Sequence, residues 1–254
     1  MGREHIEFVA STDIAKTPVA DGPFAGTEQR LLSMDDGDAG DYTALNYLPA
    51  GWTGDLSGSA TPTELFVIEG ALRIGDGELR TGCYGYVPAA ADGATLASEN
   101  GSVVLVLVDP PEERCGDIEI HDTNEMTWTN APPGIPPGIV VKRLRSHPVT
   151  GDATWVAGVA PGWREERAEM HDTIEECLMI KGDILLGERG IMGAGSYFWR
   201  PPRVKHGPMY TNNGGVFFFR SKGGGLATEH VEVPGWERMV ADYRDSEPYF
   251  PGQL

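Results

Sequence analysis

Hydrophobic and polar positions alternate over short stretches along most of the chain, and glycine or proline interrupts the pattern every few residues. The apolar stretches are rich in β-branched and aromatic residues, which is typical of strands. They fall at residues 44–48, 64–68, 71–74, 83–87 and 103–108, and again at 154–159, 177–180, 184–186, 197–199 and 216–220. Helical periodicity is scarce, and 34 glycines and 19 prolines supply turns between the strands. The pattern predicts an all-β sandwich or barrel.

The chain also contains an internal repeat, which bears directly on the fold. Residues 63–70 match residues 175–182 at an offset of 112, and residues 82–88 match residues 195–201 at an offset of 113. The pair Asn100-Gly101 matches Asn213-Gly214, again at 113. Nearly constant spacing indicates duplication of one unit, so we predict two tandem domains, residues 1–116 and 117–254.

Three further segments complete the predicted layout. Residues 118–126 are expected to begin the second unit, and the proline-rich stretch 130–138 to form a stiff, irregular connector. Residues 235–244 are expected to hold one short helix. A loose tail containing Pro248 and Pro251 follows it.

A candidate metal site lies in the second unit. Glu169, His171, Glu175 and Cys177 are all odd-numbered, so they share one face of the strands if no bulge intervenes. His206 follows a proline-rich turn and is a further candidate ligand. Two imidazoles with one or two carboxylates suit Fe(II), Mn(II), Zn(II), Ni(II) or Co(II). Glu169 is either a ligand or a base beside the metal.

One alternative concerns the carboxylate ligand: Glu176 replaces Glu175 if a bulge shifts the register. The other histidines, His5, His121, His147 and His230, fit no ligand spacing and are expected to be ordinary surface residues.

The spacing of these residues resembles the two motifs of the cupin superfamily. The first motif is represented by Gly162, Glu169-Met170-His171, Glu175 and Gly182, and the second by Gly195, Pro201 and His206. The resemblance implies two tandem cupin barrels, of the jelly-roll or double-stranded β-helix type. It also implies a divalent transition metal held by His171, Glu175, His206 and Glu169, with Fe(II) favoured.

The chain departs from the cupin pattern at several positions. Glu169 stands where the family has the first histidine of its pair, and Arg203 stands in place of the inner glycine of the second motif. Tyr210 occupies the asparagine position, and the gap from Gly162 to Glu169 is one residue longer than usual. A second carboxylate in the ligand shell favours Mn or Fe over Cu.

At the equivalent positions of the first unit, every predicted ligand is replaced by another residue. The positions of Glu169, His171, Glu175 and His206 are taken by Ser57, Ser59, Thr63 and Gly93. Neutral hydroxyls and a glycine do not hold a divalent cation tightly. We therefore expect this barrel to be structural, as a packing or dimerising partner or part of the pocket wall. Small-molecule binding is the alternative.

Aromatic and basic residues surround the second-unit motifs. The aromatic ones are Trp163, Tyr197, Phe198, Trp199 and Tyr210, and the basic ones are Arg200, Arg203, Lys205 and Arg220. One interpretation is that Arg200, Arg203 and Trp199 bind an anionic substrate, a carboxylate or enolate, while Glu169 or Tyr210 transfers protons. The other is that Arg200 and Arg220, which lie on strands, point outward and pair with surface acids.

Composition narrows the partners and the setting. The chain has 38 acidic and 20 basic residues, a formal charge of −18, which disfavours binding to nucleic acid and to anionic membranes. It has no apolar run long enough for a membrane helix and no apolar segment typical of a signal peptide, so a cytoplasmic location is expected. Three scattered cysteines, Cys83, Cys115 and Cys177, predict reduced thiols. A homodimer is the expected assembly.

The leading functional interpretation rests on a similarity to small cupin dioxygenases that cleave carbon–carbon bonds. It is a non-haem Fe(II) dioxygenase acting on a small oxygenated organic acid or diketone. The first alternative is a non-oxidative Mn- or Zn-dependent isomerase, lyase or hydrolase; the tandem-cupin ureidoglycine aminohydrolases are similar in their Glu-x-His pair but differ at Glu175 and His206. The second is a non-catalytic binding or sensor protein, resembling the zinc cupin of anti-sigma factors.

Overall fold

The computed structural model describes residues 2–37 and 40–244. The strands of the first part of the chain are β1 Ile6–Ala10, β2 Thr17–Pro18, β3 Glu28–Met34, β4 Tyr42–Leu48, β5 Trp52–Asp55, β6 Thr63–Ile74, β7 Gly77–Arg80, β8 Cys83–Val87, β9 Thr95–Ser98, β10 Ser102–Val108 and β11 Glu119–Asp122. The remaining elements are β12 Thr129–Asn130, β13 Val140–Ser146, β14 Ala153–Val159, β15 Arg164–Glu165, β16 Ala168–His171, β17 Ile174–Leu186, β18 Ile191–Gly193, β19 Ser196–Arg200, β20 Met209–Tyr210, β21 Gly215–Lys222, β22 Thr228–Val231 and the helix α1 Trp236–Arg244. Short 3-10 turns lie at Ser11–Asp13 and Gly187–Arg189.

The predicted all-β fold and the helix near residues 235–244 are confirmed. The tail with Pro248 and Pro251 lies outside the described residues. Cys83, Cys115 and Cys177 are free thiols, as expected. Within the described residues, no helix has the length and hydropathy needed to span a bilayer.

The first unit is a closed antiparallel sheet. Its strands run in the order β11-β8-β6-β10-β4-β3-β2. Strands β7 and β9 pair with the far end of β6, and β5 pairs with β9. Alternate side chains of β6 and β10, such as Leu65, Val67, Val104 and Val106, point inward and are fully buried. The centre of this barrel is therefore filled with apolar side chains.

The second unit repeats this arrangement. Its sheet runs β1-β19-β17-β21-β14-β13-β12, with β15, β18 and β20 attached to β17 or to each other, and β16 pairs with β22 separately. The two long strands β6 and β17 occupy equivalent places, as the sequence repeat predicts.

A pair of glycines shows how closely the repeat is preserved. Gly70 and Gly182 have φ values of 81° and 84°. A side chain at Gly70 would collide with the carbonyl oxygen of Gly101, and one at Gly182 with that of Gly214. Glycine is required at both positions because the backbone of the next hairpin approaches too closely for a Cβ.

The predicted domain boundary near residue 116 is wrong. Strand β11 pairs with β8, from Glu119 opposite Tyr86 to Asp122 opposite Cys83, so residues 118–126 complete the first sheet. In the same way β1 pairs with β19 and completes the second sheet. The compact units are Met1–Glu4 with Ile14–Met126, and His5–Asp13 with Thr127–Leu254. The cause is that the outer edges of β8 and β19 need partners for their backbone groups, and each takes a strand from beyond its own repeat.

Candidate metal centre

The site is assembled from β16, the start of β17 and the turn before β20. The backbone fixes His206 beside Glu169: the amide of Glu169 donates to the carbonyl of His206 at 2.8 Å, and the reverse bond is 3.0 Å. The amide of Arg203 donates to the carbonyl of His171 at 2.7 Å. These bonds hold the turn that contains His206 against β16, which lies about 35 residues earlier in the sequence. They thereby position the second imidazole.

The four predicted ligand residues converge in the interior of the second barrel. His171 Nε2 lies 4.0 Å from Glu169 Oε2 and 3.9 Å from Glu175 Oε1. His206 Nε2 lies 4.0 Å from Glu169 Oε2 and 3.6 Å from Glu175 Oε2. Donors bound to one ion at about 2.0–2.2 Å are separated by roughly 3–4 Å, so these spacings suit a single cation. All four residues are at most 6% exposed.

The backbone determines which nitrogen of each imidazole faces the site. His171 Nδ1 lies 3.3 Å from the carbonyl of Ala227, and His206 Nδ1 lies 3.2 Å from the carbonyl of Val204. A carbonyl only accepts, so each Nδ1 carries the proton, and each Nε2 presents a lone pair to the interior. This is the arrangement by which proteins orient histidine ligands of metals.

Unpartnered polar atoms indicate that the residues present fit a cation. His171 Nε2 and Glu169 Oε1 are buried without a hydrogen-bond partner, although buried polar atoms are normally bonded. Glu169, His171 and His206 offer donor atoms that all lie within 4.8 Å of one another. A bound divalent ion would accept these lone pairs and offset the cost of burying them.

Electrostatics separates the roles of the two carboxylates. Burial, reinforced by the charges of Glu175 and Glu165, raises the pKa of Glu169 to about 8. Burial also acts to raise the pKa of Glu175, but His206, His171 and Arg200 outweigh it and lower that pKa. Burial and the charge of Arg200 lower the pKa of His206 to about 4, so its imidazole is neutral and available as a ligand.

The register identifies the second carboxylate of the site as Glu175. In the antiparallel pairing, Glu175 stands opposite Arg200, and Glu176 stands opposite Trp199 on the other face of the sheet. There Glu176 accepts hydrogen bonds from Tyr197 at 2.6 Å and from Arg220 Nε at 2.9 Å. No bulge separates Glu175 from Cys177, so the odd-numbered face is maintained.

Several predicted site residues lie elsewhere. Trp199 shares the outward face of Glu176, as do Tyr197 and Arg220, because alternate residues of a strand point in opposite directions. Arg203 is 52% exposed at a positive φ of 68° and pairs with Asp172 and Glu229. Neither Trp199 nor Arg203 is among the described residues that line the cavity, so their positions do not support the predicted substrate-binding roles.

Tyr210 and Lys205 are also outside the site. Tyr210 packs edge-to-face against Tyr243, with ring centroids 5.8 Å apart, and is not among the described residues that line the cavity. The predicted proton-transfer role of Tyr210 is therefore not supported by its position. Lys205 is exposed.

Arg200 is the basic residue that does face the site. It is 2% exposed, lines the cavity, and donates from NH1 to Glu175 Oε2 at 3.1 Å. Its guanidinium carbon lies 3.7 Å from the centroid of the Phe198 ring. The side chain of Arg200 therefore points into the barrel, as the substrate-binding interpretation of the sequence required.

Two residues near the site were missed by sequence reasoning. His230 stands opposite Glu169 in the β16–β22 pair, with its Nδ1 3.9 Å from Glu169 Oε1. Together with Glu165 and Glu169 it forms a second group of residues that could hold a metal ion. Glu7 lies on β1, with its Oε1 3.6 Å from Arg200 NH2. No local pattern marks either residue, because both reach the site through pairing between strands distant in sequence.

The donor residues line a cavity of about 60 Å³ in the second barrel. Its wall is otherwise almost entirely apolar, and includes Trp155, Trp163, Phe198, Phe217 and Phe219. Ile135 and Pro136 of the proline-rich connector also line it. Trp163 Nε1 donates to the carbonyl of Pro137 at 2.9 Å, and Thr228 bonds to the carbonyl of Gly134, which hold the connector against the barrel.

The equivalent positions of the first unit form no such site. Ser57 accepts a hydrogen bond from the amide of Ala94 at 2.9 Å, and Ser59 pairs with Thr61 at 3.0 Å. Among the described residues, both groups able to hold a metal lie in the second unit.

Comparisons with known proteins agree with this architecture. The family described as a domain of unknown function, DUF4437, matches residues 108–226. No curated protein matches the sequence. A structure from Nostoc punctiforme with a provisional dioxygenase name has a TM-score of 0.78 and 18% identity, covering 91% of this chain and 92% of that one.

Oxalate decarboxylase from Bacillus subtilis is a second similar fold. One variant has a TM-score of 0.60 and 12% identity, covering 97% of this chain and 86% of that one. Another structure of that enzyme, which concerns its Mn(II) centres, gives 0.60 and 13% over the same shares. The fold of this chain is thus that of the cupin superfamily, with two jelly-roll barrels in tandem. The donor group of the second barrel is one that could hold a metal ion.

Proposed function

We propose that the protein is a non-haem Fe(II) dioxygenase that acts on a small diketone or oxygenated organic acid. The observation that carries this proposal is the convergence of two imidazoles and two carboxylates on a small, mostly apolar cavity. Two histidines and a carboxylate that leave positions open form the ligand set of non-haem iron oxygenases. A bound Fe(II) would supply those open positions to a chelating substrate and to dioxygen.

The size of the cavity sets the size of the substrate. One water molecule needs roughly 10–15 Å³ of such a cavity, so about 60 Å³ admits only a few heavy atoms beside a cation. The aromatic and aliphatic wall would pack against the carbon skeleton and exclude water. A short diketone or keto acid, with two oxygens at one end and an apolar remainder, fits both properties.

The polar residues have distinct roles in this proposal. His171 and His206 hold the cation through Nε2, and Glu175, kept ionised by its neighbours, is the permanent carboxylate ligand. Glu169, whose pKa is raised to about 8, either joins the ligands or takes a proton from the substrate at Oε2.

A metal-exchange experiment tests the proposal. Purified protein is stripped of metal, reloaded separately with Fe(II), Mn(II) or Zn(II), and assayed for oxygen uptake with a panel of short diketones and keto acids. We expect uptake with Fe(II) alone, lost in His206→Ala and retained in His121→Ala, which changes a histidine of the first unit. Absence of uptake from the iron-loaded protein across the panel would refute it.

A second candidate is a non-oxidative Mn(II)- or Zn(II)-dependent isomerase, lyase or hydrolase. The raised pKa of Glu169 favours it, because a carboxyl that titrates near neutral pH is suited to moving a proton next to a Lewis acid. Turnover with Mn(II) or Zn(II) and no oxygen uptake would support this candidate. Tight ligand binding without turnover for any metal would instead indicate a sensor.

A further inference from the structure

Strand β1 brings a carboxylate into the second unit from a distant part of the chain. Residues Ile6 and Val9 pair with β19, and the register is irregular between them, where Glu7 lies. Both carboxylate oxygens of Glu7 are buried and have no hydrogen-bond partner. The side chain faces Arg200, whose NH2 is 3.6 Å from Glu7 Oε1.

Arg200 lies between two carboxylates. Its NH1 is 3.1 Å from Glu175 Oε2, and its NH2 is turned toward Glu7. The ring of Phe198 covers the guanidinium from one side, so little water screens these charges. The other basic side chains near Glu7 are His5 at 3.4 Å and Arg189 at 3.9 Å, and Arg189 is 63% exposed. Solvent screens Arg189, whereas Arg200 is desolvated.

The charge balance of the centre depends on Glu7. Glu169, Glu175 and Glu7 supply three negative charges when all are ionised and Arg200 supplies one positive charge, so the two net negative charges would balance a divalent cation. Without Glu7, the buried guanidinium would be offset by Glu175 alone. Glu175 would then present less negative charge to the metal ion, and part of the positive charge of Arg200 would remain unbalanced beside the site.

We propose that Glu7 is a positioning residue of the metal centre, which holds Arg200 and offsets its charge so that Glu175 remains available to the cation. This inference rests on the metal site of the proposed function but not on any particular reaction. The residue is contributed by β1, which precedes the strands of the first barrel in sequence.

The test measures Mn(II) affinity of the full chain by competition with a chelating dye. Residues that orient metal ligands typically contribute 10–100-fold in affinity, so we expect Glu7→Gln to weaken binding about tenfold. Glu7→Asp keeps the charge and should bind within about threefold of the unaltered protein. Glu4→Gln, an exposed carboxylate in the first unit, is the matched control and should have no effect.

A double variant separates positioning from a general structural effect. In an Arg200→Gln background, Glu7→Gln should change the affinity by less than about twofold, since the charge it offsets is gone. Equal losses in both backgrounds, or unchanged affinity in Glu7→Gln, would overturn the inference while leaving the metal site intact. Absence of Mn(II) binding by the unaltered protein would instead refute the metal site itself.

Discussion

Removal of one imidazole should abolish the stabilisation that a metal gives to the second barrel. A ligand present at about 100 times its Kd stabilises the native state by about 2.7 kcal/mol. For a domain of this size, about 1 kcal/mol shifts Tm by roughly 2–4 °C, so saturating metal should raise Tm by about 5–10 °C. His206→Ala removes the Nε2 that lies 3.6 Å from Glu175 and 4.0 Å from Glu169.

The expected size of the loss follows from the same relation. If the affinity falls at least 100-fold, the same metal concentration no longer exceeds Kd, and the stabilisation is about 0.4 kcal/mol or less. The increase in Tm should then be below about 2 °C. Calorimetry with and without chelator measures each increase, and hydrogen exchange in β17 and β21 assigns the transition to the second unit.

Comparison of each variant with its own chelated form removes the effect of the substitution on the metal-free protein. His121→Ala, in the first unit, should keep the full increase. If His206→Ala also kept it, the convergence of the two imidazoles would not be a metal site and our reasoning would be wrong.

Three further outcomes are expected. Arg220→Met should destabilise the protein by about 3–5 kcal/mol in chemical denaturation, because it removes the guanidinium that lies 2.7 Å from the buried carboxylate of Glu176. Replacing Glu176 by Met as well should recover most of the loss. In the metal-free protein, the raised pKa of Glu169 means that the folded state holds a proton that the unfolded state releases; stability should therefore fall as pH rises from about 4.5 to about 8, and Glu169→Gln should flatten that dependence. Gly182→Ala should lower Tm clearly more than Gly162→Ala, because both have positive φ but only a Cβ at 182 meets another backbone; an equal effect would contradict the close approach.

Much of the fold and part of the site follow from spacing alone. The constant repeat offset predicts two similar barrels. Strand alternation selects Glu175 rather than Glu176, because the direction of a side chain within a strand depends only on its position in that strand. The same alternation, applied to β19, would have excluded Trp199, since Phe198 and Arg200 on either side of it line the cavity. Arg203 was misplaced for a different reason: it lies in a turn, where alternation gives no direction.

Contacts between distant strands were beyond the reach of sequence reasoning. The approach of His230 to Glu169 depends on β22 returning to β16, and no motif encodes that register. The same holds for Glu7. A homodimer, a cytoplasmic location and the role of the first barrel remain predictions.

The pairing of β1 with β19 also determines when β1 can join its sheet during protein synthesis. Its partner β19 is translated roughly 190 residues later, on the order of 10–40 s at typical ribosomal speeds. Throughout that interval β1 lacks the strand edge with which it pairs, whereas the strands of the first barrel can already pair with one another. The first strand of the second barrel to be synthesised is thus among the last to be incorporated, and that barrel is complete only once β1 and β19 have paired.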